Sequence, residues 1–184
     1  MNGVFRKRIE KGSFLCLILL GCIAGVWMTM RQWLPELLQA RLQLADQQQL
    51  FHLFLLEAAG LLLCSGLAGF FAMGQPIPCF ALLLHGMLFG LTILLHLTPA
   101  LQSLRLLIWL LPYGIGTSFL LLLAARETIW LSSLFFCYAF QRQWEENMPH
   151  CRRLYLVRYA VILGLFVLLS LFCGGLQILQ SLFV

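Results

Sequence analysis

Glu57 and His85 are the residues best placed to do chemistry, because each lies well inside a long apolar run. Ionisable groups in such positions are costly in lipid and usually functional. As a pair they could hold a proton or line a ligand site at the midplane. As structural groups, each would bond a neighbouring backbone or hydroxyl and act as glue between helices. His52 and His96 fall near the ends of apolar runs, where a polar tip reaches the interface cheaply.

The remaining residue types do not assemble a catalytic set. Gly116-Thr-Ser118 has the G-x-S core of some serine hydrolases, but Leu120 stands where the second glycine would be. A serine inside a helix usually bonds back to its own helix. Glu145-Glu146 followed by His150-Cys151 lacks a second ligand pair and reads as a charged, solvated loop rather than a metal site. Phosphate-binding glycine loops, the dinucleotide fingerprint and the H-E-x-x-H pattern do not occur. The seven cysteines are an odd number without C-x-x-C spacing, and most fall in apolar runs, as small core residues do. These features predict a protein that is not an enzyme, with no catalytic residue, no cofactor and no metal.

Composition sets the elements that must position Glu57 and His85. Over 184 residues, 61% are apolar and 10% charged, against about 45–50% and about 25% in soluble domains. Mean hydropathy is +0.92. A water-soluble globule would lack polar surface at this composition, and disorder requires low hydrophobicity. The chain therefore reads as one all-α integral membrane domain covering 1–184, a polytopic helix bundle. Its net charge of +5 reads as loop charge of the positive-inside kind, not as a nucleic-acid footprint.

Five spanning helices are expected, at about 13–30, 50–73, 79–97, 106–125 and 159–183, each near the length that crosses a bilayer. Arg6, Lys7, Arg8 and Lys11 precede the first. A basic head before an apolar run also describes a signal peptide, but no small-residue cleavage site follows the run, so a retained helix is expected. Between the first two spans, Leu34, Leu37, Leu38, Leu42 and Ala45 recur at roughly helical spacing after Pro35. They predict an amphipathic outer helix at the interface, or a plain helical linker.

Leu101 to Phe140 is too long for one crossing, and Arg126-Glu127 interrupts it. The reading is a span ending at Ala125, followed by a short re-entrant or interfacial helix over 128–140. Alternating sides from a cytoplasmic N-terminus places nine basic residues inside and three outside, which predicts an extracytoplasmic C-terminus. Two G-x-x-x-G patterns, Gly21 with Gly25 and Gly86 with Gly90, predict helix faces that a second backbone can approach closely.

The order of features over the middle of the chain is specific. Gly74-x-Pro76 opens a helix. Gly86-Met-Leu-Phe-Gly90-Leu-Thr92 follows, and the next helix carries Leu111-Pro112. With the basic N-terminus, the polar outer segment, the basic loop and the final span, the chain resembles the stage II sporulation protein M family over nearly its whole length. Members commonly carry a basic residue where His85 stands.

The resemblance implies a non-catalytic membrane scaffold that acts during engulfment and anchors peptidoglycan-degrading partners at the septum. Leu37, Leu38 and Leu42 are then the candidate partner-binding surface, and a homo-oligomer is possible. The rival class is a small-molecule membrane carrier or the substrate-binding subunit of a vitamin importer, with Glu57 and His85 lining its site.

Overall fold

The computed structural model describes residues 2–31, 47–97, 103–141 and 148–182. They form five helices: α1 (Asn2–Met30), α2 (Gln47–Ala68), α3 (Pro76–Leu97), α4 (Ser103–Gln141) and α5 (Met148–Leu182). The outer amphipathic segment, with Leu37, Leu38 and Leu42, lies outside the described residues. Four helices are long and apolar enough to cross a membrane, over Gln48–Ala68, Pro76–Leu94, Ile108–Phe136 and Cys151–Leu179. The apolar part of α1, Phe14–Met28, is shorter.

The fourth helix corrects one expectation. Residues 128–140 are not a separate re-entrant element, because α4 runs unbroken for 39 residues through Pro112 and Arg126-Glu127. At a rise of ~1.5 Å per residue it is roughly 58 Å long, about twice the ~30 Å hydrocarbon core. A charged pair interrupts an apolar stretch without ending a helix: Ala124, Ala125, Arg126 and Glu127 are all good helix formers. The last helix likewise begins at Met148, ahead of the apolar stretch expected from 159.

Between α2 and α3 the chain turns over 69–75. Gly74 is obligatory there, because a Cβ on it would run into the backbone carbonyl of Ala68. The Gly74 N–H donates to the Phe71 carbonyl at 3.0 Å, and Pro76 then occupies the first position of α3, where its missing N–H costs nothing.

Contacts between residues set the relative directions of the helices. Gly21 lies against Leu83 and Gly25 against Met87, so α1 runs parallel to α3. Gly114 of α4 accommodates the Phe89 ring of α3, and Gly116 accommodates Leu169 of α5. Glu127 meets Arg158, which makes α4 and α5 antiparallel. One end of the bundle therefore collects the start of α1, the α2–α3 turn, the end of α4 and the start of α5. The two basic groups of the sequence, Arg6 to Lys11 and Arg152 to Arg158, both belong to elements that reach this end.

Candidate functional site

The polar interior is built where α2, α3 and α4 meet. Glu57 and His85 each sit near the middle of their helix, and the structure brings them together. His85 Nδ1 lies 3.1 Å from Glu57 Oε1. The side chain of His85 is 1% exposed and that of Glu57 15%. On the far side of the ring, His85 Nε2 lies 3.2 Å from Thr117 Oγ1 of α4. The Thr117 hydroxyl also points at its own helix, 2.8 Å from the Tyr113 carbonyl and 3.1 Å from that of Gly114.

A hydroxyl has one proton to give. With the Thr117 proton on those carbonyls, His85 Nε2 donates to the Thr117 oxygen and Nδ1 faces the carboxyl. Glu57 Oε2 is buried without a hydrogen-bond partner among the described residues. The Phe89 ring stacks on His85 with an interplanar angle of 7°, which holds the imidazole in the plane that joins Glu57 to Thr117.

Above and below this chain, hydroxyls from α4 and α5 bond carbonyls of α2. Tyr113 donates to Phe54 O at 3.3 Å. Thr128 donates to Ser65 O at 3.0 Å and Tyr155 to Gly66 O at 2.8 Å; Tyr159 donates to Leu62 O. The last carbonyls of a helix have no partner within it, and in α2 these are served by Thr128 and Tyr155 and by the turn amides of Phe70 and Phe71. Glycine makes room for the donors: a Cβ on Gly66 would meet the Tyr159 ring, and one on Gly69 the Tyr155 ring. Ser132 continues the series past the end of α2 by donating to Phe71 O at 2.8 Å.

The glycine pairs lie on one seam. A Cβ on Gly21 would strike the backbone of Leu83, and one on Gly25 the backbone of Met87. A Cβ on Gly86 would strike the backbone of Ile18, and one on Gly90 that of Cys22. The two motifs thus interlock, with main chain on both sides. Thr92, next along α3, bonds back to Leu88 O at 2.8 Å. Ser118 likewise bonds back to Gly114 O at 2.7 Å, the ordinary fate of a helical serine. His52 is exposed and packs edge-on against Phe51, while the side chain of His96 is outside the described residues.

Among the described residues no three His, Cys, Asp or Glu side chains gather into a metal-sized cluster. The contacts of the site are hydrogen bonds within a packed interior. Thr117, Tyr113, Thr128, Tyr155 and Tyr159 complete it. Of these, only Tyr155-x-x-x-Tyr159 carries a signal in the sequence, since residues three or four apart share a helix face, and the Gly66-x-x-Gly69 spacing matches it on α2 and its turn. No protein-family model, curated protein or solved structure matches the chain.

Proposed function

We propose that this protein is a non-catalytic polytopic membrane scaffold of the kind implied by its resemblance to the stage II sporulation protein M family. It would anchor peptidoglycan-degrading partners during engulfment. The observation that carries this reading is the use made of the interior polar groups: His85 bonds Glu57 on one side and Thr117 on the other, and the tyrosine hydroxyls bond α2. Such a network fixes helix positions, which is what a platform for partners needs.

All five helices cross the bilayer in this reading. The glycine seam holds α1 parallel to α3 from Ile18 to Gly25, so α1 shares the path of a helix that is long and apolar enough to span. Five crossings put the end that collects both basic groups in the cytoplasm, with the N-terminus, and leave the C-terminus extracytoplasmic.

Affinity purification from native membranes, followed by identification of the bound proteins, tests the reading. Cell-wall hydrolases are the expected partners. Replacing Leu37, Leu38 and Leu42 by Asp should release them while insertion stays intact, and unchanged co-purification would sink the assignment of that surface.

The carrier reading has one observation in its favour, the buried Glu57 oxygen that has no partner among the described residues. Glu57→Gln separates the two classes. Glutamine offers His85 Nδ1 a donor or an acceptor as the tautomer requires, so a scaffold should retain partner recovery and melting within about 1 kcal/mol. A carrier that uses the carboxylate would lose ligand binding instead.

A further inference from the structure

The basic end of the bundle carries an arrangement that helix packing does not consume. Arg152 and Arg153 are exposed at the start of α5. They lie three and two residues before Tyr155, which bonds Gly66 O at the close of α2, so they are at the level of the α2–α3 turn. The Arg152 guanidinium sits 5.7 Å from the centre of the Phe70 ring, and Phe70 in turn packs edge-on against Tyr155. A guanidinium held over an aromatic face keeps its in-plane donors free. Those donors form the fork that matches a phosphate.

Charge at this end is uncompensated among the described side chains. Glu127 is the carboxylate there, and Arg158 occupies it at 3.1 Å. The turn itself, Gly69 to Gln75, has no charged residue, and it presents Phe71, 64% exposed, and Met73, 68% exposed. Exposed apolar side chains next to a cationic fork suit a ligand with acyl chains and an anionic head. A soluble anion would use the fork alone.

We propose that Arg152 and Arg153, with the Phe70–Met73 turn, hold the phosphate of an anionic phospholipid in the leaflet at this end of the bundle. The arginine stems run along apolar surface and the heads reach the phosphate plane, while Phe71 and Met73 contact the acyl region. Each basic residue near an anionic surface contributes enough to change lipid preference about fivefold.

The test reconstitutes the full chain in nanodiscs of phosphatidylcholine, alone or mixed with phosphatidylglycerol, and measures lipid retained on the protein and the melting temperature. The native protein should enrich phosphatidylglycerol and melt higher in the mixed bilayer. The double variant Arg152→Gln/Arg153→Gln should lose roughly an order of magnitude or more of that enrichment yet melt like the native protein in phosphatidylcholine alone. Arg31→Gln, at the opposite end, should keep the enrichment.

Equal enrichment in the double variant overturns the site, and so does equal loss in Arg31→Gln, which would make the effect one of net charge. Inorganic phosphate added to the phosphatidylcholine sample should not raise the melting temperature. If it does so to the same degree as phosphatidylglycerol, the ligand is a free anion and the lipid assignment falls.

Discussion

Replacing Gly86 and Gly90 together by leucine should abolish recovery of folded protein from detergent. The new Cβ atoms would enter the space of the Ile18 and Cys22 main chain, and a backbone carbonyl cannot swing aside as a side-chain tip can. Overpacking of this sort costs on the order of 3 kcal/mol per site even where neighbours give way. The Gly21→Leu/Gly25→Leu pair attacks the same seam from α1 and should fail equally.

Gly164 is the control. A Cβ there meets nothing within 4 Å, so Gly164→Ala should leave melting unchanged or raise it slightly, alanine being the better helix former. Wild-type yield and melting in both leucine pairs would mean that α1 and α3 do not pack through these faces.

His85→Leu has the next largest expected effect. It removes the partner of Glu57 Oε1 while Oε2 is already buried with no partner among the described residues, so both carboxyl oxygens are stranded. Breaking a buried pair by removing one member costs about 3–5 kcal/mol. The double variant Glu57→Leu/His85→Leu should recover most of that loss, because replacing both partners by apolar residues removes the stranded group as well. Melting of the two single variants and the double variant in one detergent gives the coupling energy directly. Additive losses would show that the 3.1 Å contact does not join the two residues energetically. Thr117→Val extends the cycle: it removes the hydroxyl on Nε2 and should cost less, about 1–3 kcal/mol.

Much of this architecture is legible in the order of residues, for reasons that differ by element. Lipid demands long apolar runs, so α2, α3 and the apolar part of α5 stand out in composition alone. Glu57 and His85 stand out because polar groups in such runs are rare. Their meeting was not legible, since it depends on the register between two helices that run in opposite directions, and sequence spacing carries no such information. Thr117 was invisible for a different reason. A helical threonine ordinarily bonds its own i−4 carbonyl, and Thr117 does so while also facing His85.

The end of α4 was misread because hydropathy reports where lipid stops and is silent on where a helix stops. Arg126 and Glu127 interrupt an apolar stretch that goes on to Phe136. Beyond them Thr128 and Ser132 are still buried against α2 and its turn, and the helix goes on.

The partnership of α1 with α3 has a consequence for biosynthesis. The two interlocked glycine faces are separated in the chain by the whole of α2, and a ribosome delivers them in that order. In the five-crossing arrangement proposed above, α1 would enter the bilayer before its mate is made and wait there until Gly90 emerges. Its brevity and its glycines suit it poorly to that wait. The third helix completes the first as much as it extends the second, because each glycine face of the seam is filled by the main chain of the other.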